Sequence, residues 1–353
     1  MVVIFVLGYT MIALEHPLKI DKAASALLTG TILWAIYALN ATGLLALDLS
    51  PTWEMARAMA NDVVSFVKPN VEGPYFKMAW GTTVATANDV THFVTHDLEH
   101  HLVEIAEILF FLLGAMTIVE TVDQHQGFKL ITDKIKTTNK VKLLWILSIL
   151  TFFMSATLDN LTTTIVLVAL LRKLISDQKT RWFFASMVVL AANAGGAWSP
   201  IGDVTTIMLW IGGQVTALNI ITDVILPSLA TMIVPLVIVS FTVKGDVERP
   251  VLAAGEGEEF TTAFERKLLL FMGVGALLFV PVFKTVTHLP PYLGMLFGLG
   301  VIWLVTEVMH RNKPLEDKRK LTVIGILKKV DVPTIFFFLG ILTAVAALQS
   351  VGH

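Results

Sequence analysis

The chain has no cysteine among its 353 residues, which removes disulfides, thiol nucleophiles and thiolate metal sites from consideration. Charge is scarce too. Only 15% of residues are Asp, Glu, Lys or Arg, and the net charge is −2 at pH 7, so nothing points to nucleic acid. The first apolar run, VVIFVLGYTMIAL, lacks both a basic leader and a small-residue cleavage site, and is expected to be a mature span. What is abundant is apolar surface: 55% of residues, with mean hydropathy +0.73. That is too apolar for an ordinary soluble domain and indicates an all-α polytopic membrane protein.

Apolar runs fall at roughly 2–14, 23–46, 103–122, 143–158, 161–171, 182–194, 203–213, 224–243, 267–285, 291–308 and 332–350. Between them, 123–142, 172–181 and 311–329 are rich in Lys and Arg and are expected to be cytoplasmic. The first two flank 143–171, which therefore cannot cross once. Each arm of about 14 residues reaches about 20 Å, short of the ~30 Å hydrocarbon core. A re-entrant helical hairpin is expected, its tip at SATLDN, Ser155 to Asn160. In 182–213, the sequence GGAWSPIGD interrupts an apolar stretch with three glycines and Pro200. A broken helix is expected there, as secondary transporters use at their sites.

FFLLGAMTIV (Phe110 to Val119) matches FFFLGILTAV (Phe336 to Val345) at six of ten positions, and the two copies run oppositely relative to their basic flanks. This is the signature of inverted repeats. On this reading residues 1–243 form the first repeat, with an external insert at about 48–102. Residues 244–266 are an acidic, Gly-rich cytoplasmic linker, and 267–353 begin the second repeat. Gly114 precedes Asp159 by 45 positions, so the counterpart after Gly340 is expected near 385, beyond His353. The C-terminal part of the second repeat is then expected to be missing, and the chain to be the N-terminal part of a longer protein or a shortened form.

Ionisable groups inside a membrane are costly and mark function. Here Ser155, Thr157, Asp159, Asn160 and Thr162–Thr164 occupy the tip, and Asn193, Ser199, Asp203, Thr205 and Thr206 the broken helix, without Lys, Arg or His. An all-oxygen anionic set suits a hard cation such as Na⁺ or Li⁺, with Asp159, Asn160 and Asp203 as its ligands. A proton or a cation can each neutralise a desolvated carboxylate. If the site changes sides only when neutral, that competition becomes exchange. The plainer readings are back-bonding for the threonines and a structural cap for Asn193. The insert ends in THFVTHDLEHHLVEIAEI, where His92, His96, His100 and His101 sit among Asp97, Glu99, Glu104 and Glu107. This is either a wet interfacial helix or a pH-responsive or chelating one.

These stretches resemble the NhaD family of Na⁺/H⁺ antiporters within the ion transporter superfamily. The resemblance rests on Glu104 to Phe128, SATLDNLTTTIV (Ser155 to Val166) and NAGGAWSPIGDVTTIMLW (Asn193 to Trp210). It implies a secondary transporter without cofactor, extruding Na⁺ or Li⁺ against H⁺ in a bacterial inner membrane; related plant proteins sit in the chloroplast envelope. It assigns cation-site roles to Asp159, Asn160, Asn193, Asp203, Thr205 and Thr206, and a place in the proton path or pH response to Glu104 and Glu107. The expected partners are Na⁺, Li⁺, H⁺ and the lipid bilayer. Oligomeric state is left open, a homodimer among the options. The rivals are an arsenite or dicarboxylate transporter of the same superfamily and an intramembrane aspartyl protease using Asp159 and Asp203. Asp159 argues against the dicarboxylate carrier, and only one glycine of the protease's Gly-x-Gly-Asp motif is present.

Overall fold

The structure, a computed structural model, describes residues 1–54, 90–132, 134–250, 261–311, 313–314, 318 and 321–352. Regular elements among them are helices: α1 (Val2–Ala13), α2 (Lys22–Leu39), α3 (Val90–Gln124), α4 (Lys140–Leu158), α5 (Asn160–Leu174), α6 (Gln178–Ala197), α7 (Val204–Ile211), α8 (Ala217–Thr242), α9 (Ala263–Thr287), α10 (Pro291–Met309) and α11 (Val332–Ser350), with short helical turns between some of them. Seven are long and apolar enough to span a bilayer: α2, most of α3, α4, α8, α9, α10 and α11. The protein is thus an all-α polytopic membrane protein.

Local sequence sets the helix starts. Asp21, Asn139, Asp177 and Asp331 each accept a hydrogen bond from a backbone N–H in the first turn of the helix they precede. Thr262 and Glu265 form a reciprocal capping box at α9. Glu265 and Arg266, at the end of the expected linker, are therefore buried helical residues. Of that linker, 251–260 lie outside the described residues. The His-rich stretch, expected to end a partly helical insert, is helical. Residues 90–102 are the first turns of α3, since no proline, and no glycine before Gly114, interrupts Val90–Gln124. Of the insert, 55–89 lie outside the described residues.

The chain divides into two compact units, Met1–Leu109 with Asp331–His353, and Phe110–Val330. In the first, α2 packs along α11, backbone against backbone. A methyl group on Gly30 would lie 2.7 Å from the Gly340 carbonyl oxygen, and one on Gly340 would strike the main chain of Ala26. Trp34 donates to the Thr343 carbonyl at 2.9 Å. In the second unit, Gly114 of α3 meets Met295 of α10, 2.7 Å from where its methyl group would be. Gly114 and Gly340 hold the same place in the repeated decapeptide, and each is a close-contact point of its helix.

Within the second unit, α4 and α5 meet at Asp159 and the chain folds back there. The open ends rest on one stretch: Lys140 N–H donates to the Gly245 carbonyl at 3.0 Å, Val247 N–H to Thr138 at 2.8 Å, and Ser176 N–H to Glu248 at 2.9 Å. The 19 residues of α4 place the turn about 28 Å from those feet. The end of α6 crosses α4 without side chains between them. Gly195 lies on the Phe152 carbonyl, and a methyl group on Gly202 would sit 2.8 Å from both the Ser155 carbonyl oxygen and Gly196 Cα. Gly202→Ala is expected to destabilise the detergent-purified protein by about 1–3 kcal/mol through overpacking, seen as a lower melting midpoint. Gly300→Ala, where a methyl group meets nothing within 4 Å, should leave the midpoint unchanged or raise it. Equal behaviour of the two variants would contradict the close crossing.

Candidate functional site

Asp159 holds φ 72°, ψ 159°, a region that glycine enters readily and other residues enter at a cost of about 1–3 kcal/mol. Its own side chain stabilises that backbone. One carboxylate oxygen accepts from Thr162 N–H at 2.8 Å and the other from the Thr162 hydroxyl at 2.7 Å. Asp159 is therefore both the turn between α4 and α5 and the cap of α5. Asp203 does the equivalent for α7: its Oδ1 accepts from Thr205 N–H at 2.8 Å and from the Thr205 hydroxyl at 2.5 Å. Each carboxylate thus lies at the positive end of a helix, which stabilises its charge without a basic side chain.

Asn160 joins the two halves. Its side-chain amide donates to Asp203 Oδ2 and, at 3.0 Å, to Asn193 Oδ1. Asn193 spends its own N–H on the Val189 carbonyl at 2.9 Å, which turns its oxygen toward Asn160. The structure therefore brings Asp159, Asn160, Asn193, Asp203 and Thr205 into one cluster. Asp159, Asn160 and Asp203 are half-buried, while Asn193 and Thr205 are exposed. With both amide protons donated, the Asn160 carbonyl oxygen is its remaining acceptor. Two carboxylates supplemented by amide and hydroxyl oxygens form a hard donor set. Among the described residues no three His, Cys, Asp or Glu side chains gather as a softer site would require.

Ser155, Thr157 and Thr206 stand differently. Ser155 donates to the Ala192 carbonyl at 2.6 Å and ties α4 to α6. Thr157 back-bonds to Met154 at 2.9 Å, and Thr206 shares its hydroxyl between the carbonyls of Ser199 at 2.9 Å and Asp203 at 2.8 Å. In this conformation their hydrogens are spent on carbonyls, so each acts as a strut whose oxygen lone pairs alone remain for a cation. Ser199 is another, donating to the Ala156 carbonyl at 2.5 Å. Sequence reasoning passed over Lys284 of α9. Its ammonium donates to the Trp210 carbonyl at 3.0 Å and lies 4.6 Å from the centre of the indole ring. It clamps the C-terminal end of the short helix that Asp203 caps. A lone lysine in an apolar run was the available signal.

Glu104, Glu107, His100 and His101 lie on α3 in the other unit. His101 is buried, 3.9 Å from Asp97 and 3.6 Å from Glu104. His100 and Glu104 are exposed, and Glu107 is half-buried. The His100 ring stacks on that of His101 at 5.9 Å, so His100, His101 and Glu104 are neighbours on α3.

Residues 3–353 match the family model described as citrate transporter, CitMHS. The chain is 41% identical over its whole length to sodium/proton antiporter 1 of Arabidopsis thaliana, 52% of which it covers. It is 38% identical to sodium/proton antiporter 2 of the same plant, covering 72% of that protein. It is 28% identical over 99% of its length to the Na⁺/H⁺ antiporter NhaD of Vibrio cholerae, covering 68% of that protein. The chain thus spans between about half and about seven tenths of these relatives. With its all-α membrane fold and its paired, helix-capping carboxylates, it belongs to the CitMHS family of transporters, alongside the NhaD-type and plant sodium/proton antiporters.

Proposed function

We propose that this chain forms the cation-binding part of a secondary active Na⁺(Li⁺)/H⁺ antiporter. The observation behind this reading is the Asp159–Asn160–Asp203–Asn193 cluster: two carboxylates cap helix N-termini, the amide of Asn160, next in sequence to Asp159, bonds Asp203 and Asn193, and among the described residues no basic group hydrogen-bonds either carboxylate. A sodium or lithium ion bound there would be shared by Asp159, Asp203 and the oxygens of Asn160, Asn193 and Thr205. Protons on the same carboxylates would exclude it, and the cost of moving bare charge through lipid would forbid the empty, ionised site from changing sides. The named relatives support this reading. A citrate-like tricarboxylate, which the family description names, finds no counter-charge hydrogen-bonded in the cluster.

Membrane placement belongs to the same proposal. The α4–α5 hairpin is re-entrant from the cytoplasmic side, and α6 to α7 is the broken span; the common footing of α4 and α5 on 245–248 supports this. The contacts of Gly114 and Gly340 support an inverted repeat. The fit to a bacterial inner membrane or to a chloroplast envelope is equal on these grounds.

Asp159→Asn is the sharpest test, because Asn can also cap a helix and enter positive φ. It should abolish Na⁺-dependent proton release from vesicles while insertion and melting midpoint stay near wild type. Asp159→Glu should keep weak transport with altered Na⁺ affinity, and Asp203→Asn should be severe. Normal sodium transport by well-inserted Asp159→Asn protein would refute the coupling. The absence of cysteine makes the topology directly testable. Lys136→Cys and Lys179→Cys should label from the same side of the membrane, and labelling from opposite sides would remove the re-entrant hairpin. In the other unit, a proton-path or pH-response role for Glu104, Glu107, His100 and His101 predicts a specific outcome. Replacing His100 and His101 together by Gln should move the pH midpoint of transport and leave its maximum rate largely intact; an unchanged profile makes them structural.

A further inference from the structure

A second buried polar cluster lies at the basic end of the Phe110–Val330 unit, in a part of the molecule that the cation site does not use. His125 follows α3 and His310 follows α10, and both are wholly buried. Their rings are stacked 5.0 Å apart, with the two Nε2 atoms 2.8 Å from each other. Only one hydrogen fits on that line, and the remaining nitrogens decide whose it is. Nδ1 of His125 lies 2.6 Å from the Thr121 carbonyl, which can only accept, so Nδ1 bears hydrogen. A neutral His125 then presents a bare Nε2, and the shared hydrogen belongs to Nε2 of His310. A neutral His310 is left with a bare Nδ1, buried, without a hydrogen-bond partner and 4.0 Å from Oε1 of Glu265. Acceptor faces acceptor, an arrangement that one proton would resolve.

The surroundings explain why that proton is withheld. Glu265 is already neutralised by Lys313, whose ammonium lies 2.9 Å from its other oxygen. Thr261 donates to the His125 carbonyl at 3.1 Å and is held by Arg266 from α9 at 3.2 and 2.8 Å. The charged groups acting on the pair are thus Glu265, Lys313 and, for His310, Lys318, with Arg266 one contact away. Burial is the largest influence and pushes both imidazoles below the ordinary histidine value, His310 to about 4; Lys313 acts in the same direction and Glu265 against it. Because the folded values are depressed, the pair's contribution to stability is complete above about 6.5. It is lost as pH falls through the depressed folded values, about 4 for His310.

We propose that His125, His310 and Glu265 form a buried proton-binding switch, in which a proton taken up at Nδ1 of His310 makes it a second cation on the Glu265 carboxylate, competing with Lys313 for its charge. The proton comes from solvent and adds to a lone pair. His310 becomes the cation of a new ion pair through Oε1, and Lys313 shares the carboxylate it holds through Oε2. Lys313 belongs to the basic segment 311–329, so protonation loosens that segment's tie to the start of α9. On the antiport reading, on which this regulatory role rests, the segment faces the compartment that receives protons. Acidification there would then throw the switch.

The test uses the full chain with ¹⁵N-labelled histidine, nine residues in all, and His310→Gln to assign the signal. Between pH 4 and 8, His310 should titrate below 6.5, with the Nδ1–H form at His125 and the Nε2–H form at His310 above that. Lys313→Met removes the rival cation and should raise the His310 midpoint by about half a unit or more, and Glu265→Gln should lower it by a similar amount. An ordinary His310 midpoint, or midpoints unmoved in both variants, overturns the switch. These signals need no transport, so wild-type vesicles that fail to exchange Na⁺ for H⁺ would refute the antiport reading alone. Where transport is present, the acid limb of its pH profile should move upward in Lys313→Met; an unmoved limb overturns the regulatory role.

Discussion

The reversal of the chain at Asp159 is the constraint on which the rest of the second unit depends. A helix that ends in a low-dielectric interior leaves carbonyls and N–H groups unpaired, and a non-glycine residue at φ 72° adds strain. The Asp159 side chain meets the N–H side and steadies the turn by capping the second helix through Thr162, while Thr157 and Ser199 hydroxyls take the α4 carbonyls of Met154 and Ala156. The residue that turns the chain is therefore also the residue that presents charge at the turn. A glycine would turn more easily and would present nothing.

Around that turn the molecule substitutes glycine for side chains wherever two backbones must approach. Gly195, Gly196 and Gly202 let the end of α6 and the loop before α7 lie directly on α4. Ser155 and Ser199 then fasten those elements through carbonyls. The second carboxylate, Asp203, reaches Asn160 because of this close crossing. Lys284 fixes the far end of the same short helix. Support of this kind, by packing and hydroxyl struts instead of counter-ions, leaves the cluster without a basic hydrogen-bond partner among the described residues, as the proposed hard-cation site requires. A lysine or arginine brought in to stabilise it would occupy the position the cargo is proposed to take.

Much of this was legible in the chain itself. Hydropathy located the seven helices long and apolar enough to span a bilayer, because it reports directly on the cost of transferring groups into lipid, while the 2–14 run forms only a 12-residue helix. SATLDN and GGAWSPIGD stood out because polar and helix-breaking residues are expensive where they lie. Two helix starts were less legible: α3 begins upstream in the His-rich stretch, which lacks a breaker, and the Thr262–Glu265 box begins α9 at the end of the stretch read as a linker. The roles of Ser155, Thr157 and Thr206 were not legible. Which carbonyl a membrane-helix hydroxyl donates to depends on the crossing it faces, and composition does not show that.

The sequence by itself determined the membrane class, the polar interruptions and the acidic character of the cluster, since each follows from residue type and spacing. Only the tertiary structure decided which polar groups meet. Asn160 is 33 positions from Asn193 and 43 from Asp203, and His125 is 185 from His310. No periodicity encodes contacts at such separations. They arise because close-packed helices allow few crossings, and at each crossing the side chains that happen to face one another must satisfy each other's hydrogen bonds in the absence of water.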